Sequence, residues 1–299
     1  MLISSAKGRS GRPAESRRTA DPGTAARLAQ FFDALCSAPR SILLLDYDGA
    51  LAPFRLDRFQ ARPWAGVSQL LSLIQAQGKT RLAVITGRPA GEIGPLLGIA
   101  PSLEVWGLHG AERLFPDGRR ELEQTSPAAV EKLDVLRAQL RRDSFGGLFE
   151  DKANAVVMHW RGVAPQKAHE IERRTRNLFE PLAQMDGLHM LNFESGIELR
   201  VGRDKGGAVR AILAESGADN EPVAYLGDDL TDESAFCAVN ASGGASLSIL
   251  MRPQERPTAA NVWLRPPADL RNFLKRWAQG SGRAGKRAPG QRSFVSRNP

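Results

Sequence analysis

Two acidic clusters carry most of the chemistry this sequence can offer. Asp46-Tyr47-Asp48-Gly49 directly follows the apolar run Ser41 to Leu45, and Gly227-Asp228-Asp229-Leu230-Thr231-Asp232-Glu233 follows the apolar run Val223 to Leu226. Side chains alternate along a strand, so Asp46 and Asp48 share one face at its carboxyl end. Ligands of open parallel sheets bind outside such ends. Taken alone, the first cluster also reads as a strand closing in a polar turn. In the second, four carboxylates crowd into six residues. Such repulsion is relieved at a helix start, with Thr231 as the cap and the acids at the positive dipole end, by a divalent cation, or by both. Magnesium suits a few carboxylates, waters and phosphate oxygens, whereas calcium wants more oxygen ligands. Asp46, Asp48, Asp228 and Asp229 are the expected Mg2+ ligands, with Asp232 in support.

Handling phosphate also requires cations and hydroxyls. Ile85-Thr86-Gly87-Arg88 ends a second apolar run and offers a hydroxyl, backbone N–H groups and a glycine that allows close approach. Lys205 stands just before Gly206-Gly207 and an apolar helical pattern. Each alone also reads as an ordinary turn or a solvated helix start.

The elements that must position these residues are legible as periodicity. Strand-length apolar runs at Ser41 to Leu45, Arg81 to Ile85, Leu103 to Trp106 and Val223 to Leu226 alternate with helical patterns, which predicts a Rossmann-like parallel α/β sheet. Val67, Leu70, Leu71 and Ile74 mark one buried helix face between the first two runs. From 113 to 200 the pattern changes. A helix with Val130, Leu133, Leu136 and Leu140 on one side, an alternating stretch Asn154 to Trp160, a helix Pro165 to Leu182 and strands near Met190 and Ile197 predict an inserted α+β module. The expected division is a core of 29–112 and 201–278 split by a cap of 113–200, with hinges at Glu112 to Phe115 and Arg200 to Asp204.

The net charge of +8 over 299 residues belongs to the ends. Residues 1–28 and 279–299 carry +4 and +5, leaving the middle near −1, so the folded part is not a basic nucleic-acid-binding domain. Both ends have the Gly, Ser, Pro and Arg composition of disordered tails, read either as solvated extensions or as arms for an anionic partner. No apolar run approaches the ~20 residues of a membrane span. No apolar segment follows the first basic residues, so the expected compartment is the cytoplasm. Cys36 and Cys237 lie in apolar helical stretches and are read as buried thiols.

The order Asp-x-Asp-Gly, Thr, Lys, Gly-Asp-Asp-x-x-Asp, each at an element boundary, resembles the four motifs of the haloacid dehalogenase superfamily over Ser41 to about Val262. The resemblance implies that Asp46 attacks phosphorus, Asp48 serves as general acid and then base, Thr86 and Lys205 hold phosphate oxygens, and Asp228 helps bind magnesium. Gly107-Leu108-His109-Gly110, Glu150-Asp151-Lys152, His159-Trp160-Arg161 and Glu198-Leu199-Arg200 extend the likeness to the trehalose-6-phosphate phosphatase family. That implies a cap whose Glu150, Lys152 and Glu198 meet the disaccharide hydroxyls, with Arg88 and His109 also at the substrate and Gly87 supporting the phosphate loop. Glu150 and Lys152 equally read as a surface pair, and His109 as a structural histidine between glycines. His159, His169 and His189 receive no role, and Tyr47 and Trp106 are read as core or pocket lining. The family usually has threonine where this chain has Ala50, and the missing hydroxyl is expected to be tolerated.

The resulting expectation is a monomeric, Mg2+-dependent phosphatase of trehalose 6-phosphate working through an aspartyl-phosphate. Related sugar phosphates (sucrose phosphate, mannosyl- or glucosyl-phosphoglycerate) and a sugar-phosphate sensor are the alternatives.

Overall fold

The strand that ends in Asp46, Ser41–Leu45 (β1), is buried at every position, as a strand covered on both faces must be. The computed structural model describes residues 22–55, 57–142, 148–152, 154–193, 195–217 and 221–283. Before β1 comes a helix, Pro22–Ser37 (α1), and after it Val67–Ala76 (α2), Thr80–Ile85 (β2), Ile93–Leu97 (α3) and Glu104–Gly107 (β3). A hairpin of two short strands, Glu112–Leu114 (β4) and Arg120–Leu122 (β5), follows. Then come Pro127–Arg142 (α4), Phe149–Lys152 (β6), Ala155–His159 (β7), Pro165–Ala183 (α5), Leu188–Phe193 (β8) and Gly196–Val201 (β9). The chain closes with Lys205–Ser216 (α6), Val223–Gly227 (β10), Glu233–Asn240 (α7), Ser246–Met251 (β11), Val262–Leu264 (β12) and Ala268–Arg283 (α8).

The large sheet has the order β12-β11-β10-β1-β2-β3-β4-β5, parallel through β3 and antiparallel in the hairpin. The chain runs outward from β1 through β2 and β3, then returns to add β10, β11 and β12 on the other side. The reversal of strand order falls beside β1, so Asp46 emerges at the topological switch point. On one face Leu43, Leu45, Leu82 and Val84 join an apolar cluster with Leu71 of α2 and Trp277 of α8. On the other, Ile42, Leu44, Ala83 and Ile85 pack with Val209 of α6 and Phe236 of α7. Each fully buried leucine of β1 contributes roughly 1.5–3 kcal/mol, so the strand bearing Asp46 is among the most firmly held parts of the core.

The inserted elements form a second sheet, β6-β7-β9-β8, antiparallel throughout. Val156, Met158, Ile197, Leu199 and Leu188 face α4 and α5 in one apolar cluster. The opposite face therefore carries the cross-strand row Lys152, Ala155, Arg200, His189 and the row Glu150, Val157, Glu198, Leu191. Strand β8 lies against the Leu230–Asp232 turn of the core, which brings this face over the acidic strand ends.

Several expectations need correction. The hairpin 112–122 pairs with β3, so the expected cap boundary at 113 falls inside the core sheet, and the cap's own elements begin at Pro127. Helix α1 starts at Pro22, inside the expected tail, and α8 continues to Arg283, past 278. Residues 1–21 and 284–299, the remainder of the expected tails, lie outside the described residues. On α4 the buried position is Ala129 and Val130 is 39% exposed, because the apolar stripe sits one residue earlier. Cys36 is half-buried and Cys237 exposed, not buried as expected. Cys237 falls on the solvent side of α7, whose core side is Ala235, Phe236, Ala238 and Val239.

Candidate active site

Asp46 continues the β1 ladder, its N–H donating to Leu226 O at 2.8 Å, and its carboxyl group is buried beyond the strand end. Lys205, on the first turn of α6, reaches it from the sheet face that carries Ile42 and Leu44. Asp204 caps that helix by accepting from Gly207 N at 2.7 Å, which fixes where Lys205 leaves the backbone. The Lys205 ammonium donates to Asp46 Oδ1 and to Asp232 Oδ1, each at 2.7 Å. Asp232 is wholly enclosed. Its Oδ1 also accepts from Tyr225 OH at 2.5 Å, and its Oδ2 from the backbone N–H groups of Asp228 and Asp229 at 2.9 Å each.

Asp46, Asp228 and Asp232 bring carboxylate oxygens within 4.8 Å of one another. Against one ammonium, three carboxylates leave a formal charge of −2 in a water-poor site. Burial, reinforced by Asp232 and Asp48 and only partly offset by Lys205, pushes the Asp46 carboxyl up to about 8. Burial and the neighbouring Asp46 and Asp232 raise Asp228 well above the ordinary carboxylate range. For Lys205 burial opposes the charge, yet Asp232 and Asp46 outweigh it and raise its pKa, so the lysine stays protonated. Asp228 Oδ1 is buried without a hydrogen-bond partner. An orphaned hard oxygen beside an excess of two negative charges fits a small divalent cation held by Asp46 and Asp228. Asp232 already accepts from four donors, so its part is to hold Lys205 and the Asp228-Asp229 loop in place.

The structure does not gather all the expected ligands. The side chain of Asp48 turns to Arg88, whose Nε and Nη2 donate to its two oxygens at 2.6 Å each. Arg88 Nη1 donates to Arg58 O at 2.7 Å, so this guanidinium is spent on the loop and on Asp48. Asp229 accepts from Leu230 N at 2.7 Å and caps the Leu230–Asp232 turn, in place of the expected Thr231. Four like acids in six residues conceal which one caps and which one points inward.

Thr86 is buried just past β2, its N–H donating to Trp106 O at 2.9 Å and its Oγ accepting from Arg88 N at 3.2 Å. Its carbonyl accepts from His109 N at 2.8 Å, joining the loops after β2 and β3. A Cβ on Gly87 would lie 2.7 Å from His109 Nε2, so glycine is required here for the imidazole to lie against the backbone. Gly49, at φ +86°, is required twice over, since a Cβ there would stand 2.0 Å from Asp228 Oδ2. Burial, then the charges of Arg200, Lys205 and Lys152, keep His109 well below the usual histidine pKa. Its Nδ1 is buried without a partner.

Of the expected cap residues, Lys152 donates to Glu198 Oε2 at 3.0 Å, while Glu150 Oε2 accepts from His159 Nε2 at 2.8 Å. Glu150 and Lys152 therefore pair with other residues rather than with each other. Arg200, on the same face two residues beyond Glu198, is buried and donates to Leu108 O of the core. It and His159 received no role from the sequence, although period two from Glu198 would have placed Arg200 on this face; His159 joins it through the pairing of Glu150 with Val157, two residues before it.

A family model described as trehalose-phosphatase matches residues 44–267. The trehalose-phosphate phosphatase of Mycobacterium marinum is 32% identical over 252 residues, 81% of this chain and 62% of the relative. That of Mycobacterium avium is 31% identical over 248 residues, 79% and 61%. Among solved structures, the Aspergillus fumigatus trehalose-6-phosphate phosphatase superposes with a TM-score of 0.67 at 25% identity, over 84% of this chain and 97% of the other. A haloacid dehalogenase-like hydrolase from B. subtilis does so with a TM-score of 0.56 at 16% identity, over 79% and 99%.

The fold is thus that of the haloacid dehalogenase-like hydrolases, a mostly parallel core sheet carrying an inserted cap. Within that fold, the chain belongs to the trehalose-phosphatase family. It spans about three fifths of the length of these two mycobacterial phosphatases.

Proposed function

We propose that this protein hydrolyses trehalose 6-phosphate to trehalose and phosphate, with Asp46 as the nucleophile. The observation that carries the reading is the buried set Asp46, Lys205 and Asp228 at the switch point, beneath a cap face bearing Lys152, Glu198 and Glu150. A carboxylate oxygen of Asp46 attacks phosphorus, and the ester oxygen departs with the proton of Asp48. A water, losing its proton to Asp48, then cleaves the aspartyl-phosphate and returns Asp46 free. Thr86 and Lys205 hold phosphate oxygens, and Asp232 keeps Lys205 aimed. Asp46 and Asp228 would hold Mg2+, which neutralises charge on the phosphoryl group. Glu198 and Glu150 offer acceptors, and Lys152 donors, to sugar hydroxyls. Arg88 serves Asp48 rather than the substrate. The proposed form is a cytoplasmic monomer acting on a small molecule; no described helix is long and apolar enough to cross a membrane.

A mere sensor is disfavoured by the turn itself. Tyr47 O accepts from Leu51 N and Ala52 N at 3.0 and 2.9 Å, and Gly49 N donates to Ala52 O at 2.7 Å, so the loop stands without a hydroxyl at Ala50. Phosphate release should be measured with Mg2+ over trehalose 6-phosphate, sucrose phosphate and mannosyl- and glucosyl-phosphoglycerate. Preference for trehalose 6-phosphate, abolished in Asp46→Asn, is expected. Preference for another member of the panel sinks the substrate, and equal silence of both forms while ligand still binds sinks the enzyme.

A further inference from the structure

Leu108 and His109 adopt φ of 49° and 59°, consecutive left-handed residues that both carry a Cβ. Such backbone is disfavoured by roughly five- to thirtyfold per residue, so two in succession must be held from outside. The amide sides of the turn are tied within the core: Leu108 N donates to Arg88 O at 2.9 Å and His109 N to Thr86 O at 2.8 Å. Its carbonyl side is tied from both core and cap: Leu108 O accepts a long bond from Ala111 N at 3.4 Å within the core and a second from the cap. Arg200 Nη2 donates to Leu108 O, Nη1 stands 3.5 Å from Glu198 Oε1, and Nε is buried with no partner at all. An arginine this enclosed, 1% exposed, with so few acceptors is costly to bury. The bond to Leu108 is the main return on that cost.

We propose that Arg200 is a positioning residue that reaches from the cap to hold the left-handed Leu108-His109 turn, so that His109 is presented to the substrate only while the cap is seated. The connection is continuous. Lys152 bonds Glu198, Glu198 flanks Arg200, Arg200 holds Leu108, and the next residue is His109. The cap residues proposed to read the sugar are thereby linked to a core side chain whose Nδ1 is free for a hydrogen bond. A sugar phosphate that engages Glu198 and Lys152 secures the turn, while a small phosphate ester that makes no cap contact does not. Sugar specificity would then arise partly in the core, through His109. This step rests on the sugar-phosphatase reading for its substrate, but the latch itself does not.

The test is a double-mutant cycle with two readouts, backbone amide hydrogen exchange and turnover. Arg200→Ala removes the latch. Leu108→Gly removes the strain, because glycine takes a positive φ freely. Arg200→Ala should speed exchange of the Leu108 and His109 amides by about tenfold or more, the scale of the strain released. It should lower kcat/KM for trehalose 6-phosphate by roughly a hundredfold while affecting p-nitrophenyl phosphate much less. Adding Leu108→Gly should restore about five- to thirtyfold of that loss and slow the exchange again, Leu108→Gly alone being within about threefold of the parent. Arg200→Lys, which keeps a cation but not the reach and fork of a guanidinium, should repeat the pattern if the alanine variant folds poorly. Additive effects of the two substitutions, or unchanged exchange at both amides, would overturn the latch. Altered exchange in a protein whose unmodified form releases no phosphate from any sugar phosphate would sustain the latch and refute the substrate reading.

Discussion

Replacing Asp232 by asparagine should destabilise the core more than the same change at Asp46, the proposed nucleophile. Asp232 is 0% exposed and accepts four hydrogen bonds, from Lys205, Tyr225 and the amides of Asp228 and Asp229. Asparagine has the same shape but one acceptor oxygen. Whichever way the amide is turned, two of the four donors then face an NH2 group. Hydrogen bonds to a charged group contribute about 1.5–3 kcal/mol each, so two lost bonds cost about 3–6 kcal/mol. Breaking a buried ion pair by removing one partner gives a similar figure, about 3–5 kcal/mol. For a chain of this size a loss of about 3–6 kcal/mol lowers the melting temperature by roughly 6–24 °C. The assay is thermal unfolding of the Asp232→Asn and Asp46→Asn variants beside the parent, all without added metal. Asp46→Asn removes one of three crowded carboxylates and leaves Lys205 paired with Asp232, so it should change the midpoint little or raise it. A Asp232→Asn midpoint within about 2 °C of the parent would refute the view that this carboxylate organises the site.

Other outcomes follow from the same geometry. His109 is held below its ordinary pKa by burial and three nearby cations, so the unfolded chain takes up a proton that the folded one refuses. Stability should therefore fall as pH drops below about 6.5, by up to about 1.4 kcal/mol per pH unit, and His109→Asn, which tolerates the left-handed turn, should lose that slope. Parallel melting curves for the two proteins between pH 7.5 and 5.5 would contradict it. Gly49→Ala drives a Cβ into Asp228 and strains a φ of +86°, so it should abolish the rise in melting temperature given by Mg2+ and cut phosphate release about a hundredfold. An undiminished Mg2+ shift would show that Asp228 is not a ligand. Arg88→Gln frees Asp48, so it should slow release from sugar phosphates, whose leaving group needs a proton, by about a hundredfold or more. Release from p-nitrophenyl phosphate, whose leaving group does not, should change far less, and equal losses on both would place Arg88 on the phosphate instead.

The parallel core was legible because strands buried on both faces read as unbroken apolar runs, and β1, β2 and β10 are of that kind. The hairpin of β4 and β5 was not, because three-residue strands with an exposed Leu122 carry almost no periodicity and exist only through pairing with β3. Within the site, the meeting of Asp46 with Lys205, 159 residues apart, was legible from motif order alone. The division of labour among the acids was not. Composition cannot distinguish Asp229, which caps, from Asp232, which anchors, since the difference lies in how the backbone turns after Gly227. The partner of Arg88 was hidden for a related reason: a guanidinium after a phosphate-loop glycine suits a phosphate and a carboxylate equally, and only the fold brings Asp48 to it.

Ala50 draws these points together. The resemblance leads one to expect a threonine whose hydroxyl steadies the loop of the general acid. In this chain Ala50 is fully buried within the apolar cluster that includes Tyr47, Leu51 and Ala61. A hydroxyl in such surroundings costs about 1–3 kcal/mol unless it finds a partner. The loop is instead clamped from both ends. Tyr47 donates its hydroxyl to Ala61 O at 2.7 Å, and Arg88 grips both oxygens of Asp48 while holding Arg58 O of the same excursion. Two charge-assisted bonds contribute more than one neutral hydroxyl bond, so the orientation of Asp48 is at least as firmly set as threonine would make it. Without the hydroxyl, control of the proposed general acid rests with the loop after β2, where the same arginine also fixes Leu108 through its carbonyl. The proposed general acid and the histidine turn beneath the cap thus share one residue, Arg88 in the loop after β2, which holds both oxygens of Asp48 and accepts from the amide of Leu108.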